Sequence, residues 1–152
     1  EVDYMTSADV LDATELPDSG IVMGFGYIGM EMVPYLAEAG GMELTVIEHD
    51  SRPIDEADPE FGDAAREIYE ANWDVEIPTN CYECELEATD DGGVRLYVEF
   101  DDGSEATYEA DQLFCRRRRQ REGTHPPRRE RTRGHRSTEH PASRRGPAAA
   151  TI

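Results

Sequence analysis

Up to residue 115, the apolar residues of this chain follow two different periods. Ile21, Val22 and Met23, and later Leu44, Thr45, Val46 and Ile47, form short, largely β-branched runs that predict buried strands. Between these runs Ile28, Met32, Tyr35, Leu36 and Ala39 recur about every 3.6 residues. That spacing predicts a helix over residues 27–39, closing at Gly40 and Gly41. A second helix has a sharp start, because Asp58 suits an N-cap, Pro59 the first helical position and Glu60 the positive end. Its expected buried face is Phe61, Ala64, Ala65, Ile68 and Tyr69; it should end near Asn72, with Trp73 packed at the junction and a strand over residues 75–77. Residues 81–88, 94–100 and 105–110 then alternate with the period of strands, joined by Asp90-Asp91-Gly92-Gly93 and Asp101-Asp102-Gly103-Ser104, both rich in hairpin residues. Residues 112–115 predict a last strand that returns to the first sheet. The expected fold class is α/β, a parallel βαβαβ sheet with an inserted three-stranded antiparallel meander. Residues 1–19 read as a connector in which Thr6-Ser7-Ala8-Asp9 can cap a short helical turn.

The junction between the first strand and the first helix is Gly24-Phe25-Gly26-Tyr27-Ile28-Gly29-Met30-Glu31. The glycines of such a turn differ in mechanical role. The first turns out of the strand, the second admits a pyrophosphate, and the third lets the helix sit close on the strand. Glu48 follows the next strand, 24 positions after Gly24, where a carboxylate can accept hydrogen bonds from ribose hydroxyls. The alternative for Glu48 is a solvated residue at a strand end. Together these features predict a Rossmann-type dinucleotide site. A carboxylate there repels a 2′-phosphate, and Arg52 is the one cation nearby in sequence, so NAD is expected rather than NADP.

Charge divides the chain in two. Residues 1–115 hold 31 acidic residues against Arg52, Arg66 and Arg95 with no lysine, whereas residues 116–152 carry 12 arginines and three glutamates. Acidity combined with regular apolar periodicity predicts a folded domain from a salty cytoplasm, since molar salt screens charges within about 3 Å. The absence of a long apolar run or a signal-peptide pattern gives a cytoplasmic expectation with no membrane partner. Cys81 and Cys84 form a CxxC, but residues three apart on a strand point to opposite faces, so no metal site or redox pair is expected. Cys81 is placed instead near the adenine edge, and the cysteines are expected to be reduced thiols. The tail after residue 115 has no structural period, which predicts disorder. A nucleotide-binding module whose arginine-rich tail contacts nucleic acid is the alternative reading. It is disfavoured, because the tail has no aromatic residue to stack on bases and salt weakens its attraction.

The segment Gly24 to Glu31, then Glu48, then the meander, resembles the NAD-binding domain of the pyridine nucleotide-disulfide oxidoreductases, flavoproteins that include dihydrolipoamide dehydrogenase. The turn is similar to that family's GxGYIGxE motif, Ala57-Asp58-Pro59-Glu60 resembles its opening of the second helix, and residues 4–9 resemble its connector from an FAD domain. The resemblance implies that Gly24, Gly26, Ile28 and Gly29 shape the pyrophosphate site. It also implies that Tyr27 covers the nicotinamide pocket and that Glu31 pairs with a lysine of the FAD domain. The implied reaction passes a hydride between NAD and FAD, in a style closest to dihydrolipoamide dehydrogenase. No FAD glycine motif, CxxxxC pair or interface domain is present, so no catalytic residue is expected here and the fragment alone is expected to be inactive. Partners implied by the resemblance are the missing FAD domain and the interface domain through which the family dimerises. The resemblance stops at Arg116, where a shifted reading frame or a fusion is expected to have replaced the remainder.

Overall fold

The computed structural model describes residues 2–73 and 75–115; the expectations for the arginine-rich tail lie outside the described residues. In chain order the elements are β1 (Tyr4–Met5), α1 (Ser7–Asp12), β2 (Ser19–Met23), α2 (Tyr27–Gly40), β3 (Glu43–Ile47), α3 (Pro59–Asn72), β4 (Val75–Glu76), β5 (Cys81–Ala88), β6 (Val94–Phe100), β7 (Glu105–Ala110) and β8 (Gln112–Cys115). A five-stranded parallel sheet runs β1-β8-β2-β3-β4, and a separate antiparallel sheet runs β5-β6-β7. The register places Val22 beside Val46 on one side and Phe114 on the other, so β2 is the central strand.

Successive strand side chains point to opposite faces, and β2 is apolar on both because both are covered. On one face Val22, Val46 and Phe114 join Met32, Val33 and Leu36 of α2 and Tyr69 of α3. On the other, Ile21, Ile47 and Leu113 meet Val94, Leu96 and Val98 of β6. The layers are therefore helices, parallel sheet and meander. The α/β class and the meander agree with the sequence expectation.

Two expectations need correction. Residues 1–19 hold more than a connector, because Tyr4 and Met5 pair with Leu113 and Phe114 as an edge strand of the main sheet. The cap that follows is as expected: Thr6 and Asp9 form a reciprocal capping box, with the Thr6 backbone N–H donating to Asp9 Oδ2 at 2.8 Å. The second correction concerns α3. Its buried residues are Gly62, Ala65 and Tyr69, whereas Phe61 and Ile68 are 51% and 53% exposed. The helix is rotated to present its smallest residue to the loop before it, where a Cβ on Gly62 would run into the Pro53 carbonyl oxygen. Asp58 occupies the N-cap position and Pro59 starts the helix, but the Asp58 side chain makes no capping hydrogen bond.

Helix α2 contains Pro34, which lacks the N–H that would bond the Met30 carbonyl four residues earlier. The Tyr69 hydroxyl of α3 donates to that carbonyl at 2.7 Å. One side chain thereby repairs the ladder and joins the two helices above the sheet.

Candidate functional site

A cleft opens at the C-terminal ends of β2 and β8, beside Met23 and Cys115. Its lining includes Gly24, Gly26, Tyr27, Ile28, Gly29 and Glu48, together with Asp50, Ile54, Asp55 and Glu56 of the loop after β3. Open α/β sheets bind ligands in crevices outside the carboxyl ends of their strands.

The three glycines are distinguished by their surroundings. Gly24 has φ +90°, the left-handed region that favours glycine. Gly26 faces open space where its Cβ would stand. A Cβ on Gly29 would strike the Gly24 carbonyl oxygen, so the helix could not start this close to the strand with any larger residue there. Gly26 is also the N-cap of α2 and supplies no capping side chain. The first-turn N–H groups are thus left directed at the cleft with the positive end of the helix dipole. That arrangement suits an anion close to the backbone.

The turn is tied down from three directions. Gly24 N–H donates to the Ile47 carbonyl at 2.8 Å, Phe25 N–H to Glu48 Oε2 at 2.6 Å, and Ile54 N–H to the Phe25 carbonyl at 3.1 Å. Phe25 itself is fully buried and meets Tyr69 edge-on at 5.0 Å, and Tyr69 in turn meets Trp73 at 5.0 Å. An aromatic ladder therefore anchors the glycine turn to α3. Phe25 and Ile54 are site residues that the motif does not disclose. The signal for Phe25 is a large apolar residue between two glycines; Ile54 carries φ 52°, which no sequence pattern announces and which is strained for a β-branched side chain.

Glu48 is not a solvated strand end. It is 7% exposed, and its other oxygen accepts the Asp50 N–H at 3.0 Å. A carboxylate offers about four lone-pair sites, so two backbone donors leave acceptor capacity on both oxygens. Beside it His49 bonds Glu83 of β5 at 2.6 Å and lies 5.3 Å from the Tyr82 ring. The Glu83 bond lifts the His49 pKa above its ordinary value, against partial burial, with the Glu48 and Asp50 charges adding to the rise.

The sequence-selected residues fall into two groups. Gly24, Gly26, Tyr27, Ile28, Gly29 and Glu48 converge on the cleft, with Tyr27 63% exposed. Glu31 stands exposed on α2 and does not line it. Cys81 is fully buried behind Glu48, its thiol 3.6 Å from the Glu48 carbonyl oxygen, and it too is absent from the lining. Burial pushes the Cys81 thiol pKa up, which opposes thiolate chemistry. Cys84 of the CxxC is exposed while Cys81 is buried, and both are free thiols. Among the described residues no cluster of His, Cys, Asp and Glu is arranged to hold a metal ion.

The geometry defines a Rossmann-type α/β domain with the glycine turn and terminal carboxylate that dinucleotide-binding proteins carry. The sequence matches the family model for pyridine nucleotide-disulphide oxidoreductases over residues 1–116. The chain belongs to that family. It is 32% identical over 115 residues to a mercuric reductase of Bacillus cereus, covering 75% of this chain and 17% of the relative. It is 31% identical over 111 residues to a dihydrolipoyl dehydrogenase of Haloferax volcanii, covering 72% and 22%. The chain thus spans about a fifth of the length of these curated relatives. Among solved structures, an HOCl-induced flavoprotein disulfide reductase of Escherichia coli superposes with TM-score 0.63 at 23% identity, covering 74% of this chain and 24% of the other, a likeness of fold. An FAD-dependent pyridine nucleotide-disulphide oxidoreductase of Desulfovibrio vulgaris gives TM-score 0.55 at 27% identity, covering 64% and 23%.

Proposed function

We propose that this domain binds NAD(H) and presents its nicotinamide to an FAD held by protein outside this chain. The observation that carries the reading is the glycine turn, with Gly26 open to the cleft, Gly29 packed on Gly24 and Glu48 lining the same space. The first-turn N–H groups of α2 would receive the pyrophosphate, and Glu48 would accept from the ribose hydroxyls with its remaining lone pairs. NAD supplies a hydride donor and acceptor when bound; this chain binds and orients it. Tyr27, exposed at the cleft, would cover the nicotinamide.

NAD is favoured over NADP because the loop beside Glu48 lines the cleft with Asp50, Asp55 and Glu56 and with no cation. A dianionic 2′-phosphate would meet only like charge there. Dihydrolipoyl dehydrogenase and mercuric reductase relatives match to the same degree, so the proposed chemistry is hydride exchange between nicotinamide and flavin, with dihydrolipoamide-dehydrogenase-type disulfide turnover as one use of it. No helix among the described residues is long and apolar enough to cross a membrane; the site of action in this reading is the cytoplasm, where Cys81 and Cys84 would stay reduced thiols.

The test is titration of NADH into the purified chain in molar KCl, followed by nicotinamide fluorescence. Saturable binding is expected, with affinity reduced at least about tenfold by Gly26→Ala, or about 1.4 kcal/mol. No NADH binding by folded protein would overturn the reading and leave the fold standing.

A further inference from the structure

Arg52 lies in the loop that borders the cleft, with the lining residues Asp50 and Ile54 two positions away on either side. Its own side chain is not in the lining. It runs the other way, onto α3, where its aliphatic stem lies against Gly62 and its Nε stands 3.2 Å from Asp63 Oδ1. Two features of this contact make it a latch and not a permanent bond. Although Asp63 Oδ1 is near, the buried Arg52 Nε–H has no hydrogen-bond partner among the described residues. Asp63 is 60% exposed, and exposed ion pairs hold weakly, with about 0–1 kcal/mol typical. The other described arginines are engaged elsewhere, Arg66 with Glu70 and Arg95 with Glu109.

We propose that Asp63 is a positioning residue for nucleotide choice, holding Arg52 against α3 so that the rim around Glu48 stays purely acidic and a 2′-phosphorylated dinucleotide is refused. The inference rests on the dinucleotide reading above and adds to it a residue that never touches the ligand. Three elements combine to withhold the cation. Gly62 leaves room for the arginine stem, Asp63 takes its charge, and Asp50, Asp55 and Glu56 remain alone at the cleft. Once released, the guanidinium of Arg52 sits on the same short loop as those acids and can turn to a phosphate. A planar guanidinium fits that group bidentately. The poorly satisfied Nε–H favours the exchange, since a phosphate oxygen would give it the partner it lacks.

The test titrates NADH and NADPH separately into the full chain and into Asp63→Ala, Asp63→Asn, Arg52→Ala and the Arg52→Ala/Asp63→Ala double variant, all at one fixed ionic strength. The readout is the ratio of the two affinities. Asp63→Ala and Asp63→Asn are expected to shift that ratio toward NADPH about twofold to fivefold, the range a pair of this strength allows. Arg52→Ala is expected to leave the ratio at its original value, and the double variant to lose the gain. Merely removing a negative charge near the cleft would improve NADPH binding whether or not Arg52 is present. A gain that survives in the double variant therefore overturns the proposal. An unchanged ratio in both Asp63 variants, with NADH binding intact, overturns it as well and leaves the dinucleotide reading standing. Failure of every variant, including the original chain, to bind NADH overturns both.

Discussion

At the scale of single residues, the three glycines of the turn make different demands, and substitution should separate them. Gly29 is a packing glycine: a methyl group there meets the Gly24 backbone, which cannot retreat because Gly24 N–H is bonded to Ile47 and the adjoining Phe25 is clamped by Glu48. Gly29→Ala should cost stability, about 1–3 kcal/mol by the usual scale of overpacking, read as a lower denaturation midpoint. Gly26 has φ −80° and ψ −166°, an extended conformation open to any residue, with empty space beyond it. Gly26→Ala should therefore leave the midpoint within about 0.5 kcal/mol of the original while weakening dinucleotide binding. Equal loss of stability in both variants would mean that the second glycine serves the fold and not a ligand. The sequence alone located these glycines at the β2–α2 turn and Glu48 at the end of β3, around one cleft, because the motif is local and its spacing is set by one strand, one turn and one helix. It did not disclose that Glu48 also holds the turn together. Its partner is the Phe25 N–H, 23 residues earlier, a pairing created only when β2 and β3 align in parallel.

At the scale of elements, the helices were legible and their orientations were not. Periodicity marked α3 from its proline start to Asn72, but Phe61 and Ile68 proved exposed, because the buried stripe is chosen by the close approach of Gly62 to Pro53 and not by the largest apolar residues. Edge strand β1 was missed for a related reason. Two residues have no period of their own, and only pairing with β8, more than a hundred positions later in sequence, makes them a strand. The contact between α2 and α3 offers a direct test of such tertiary control. Pro34 removes the donor for the Met30 carbonyl and Tyr69 replaces it, so Tyr69→Phe leaves that carbonyl without its bond. The expected cost is about 1–3 kcal/mol in unfolding free energy. Pro34→Ala restores a backbone N–H at the right place, and in that background Tyr69→Phe should cost less than about half as much. Equal costs in both backgrounds would show that the hydroxyl acts through something other than the proline gap.

At the scale of the whole molecule, the acidic excess of residues 1–115 meets only Arg52, Arg66 and Arg95 within that segment, and Arg52 and Arg95 stand at joints between elements. Arg95 on β6 bonds Glu109 of β7 at 2.5 Å and lies 3.8 Å from Glu87 of β5, linking all three strands of the meander. Nearby the register sets Glu99 directly opposite Glu105, a like-charge pair that a sheet ordinarily avoids. The burden of 31 acidic residues over residues 1–115 is electrostatic self-repulsion, which falls as the screening length drops from about 10 Å at 0.1 M salt to about 3 Å at 1 M. Apolar burial on both faces of β2 supplies the cohesion, and salt decides how much of it survives the repulsion. We therefore expect the thermal midpoint to rise by at least about 10 °C between about 0.1 M and about 3 M KCl, since about 4–8 °C corresponds to 1 kcal/mol in a domain of this size. Arg95→Ala discriminates charge from a general effect of salt on apolar burial. Removing the one cation between Glu87 and Glu109 leaves more repulsion to be screened, so the variant should lose most stability in dilute buffer and approach the original chain in concentrated KCl. A salt response of equal slope in both proteins would assign the effect to burial, whereas a midpoint flat across the whole range would show that this acidic surface carries no salt requirement at all.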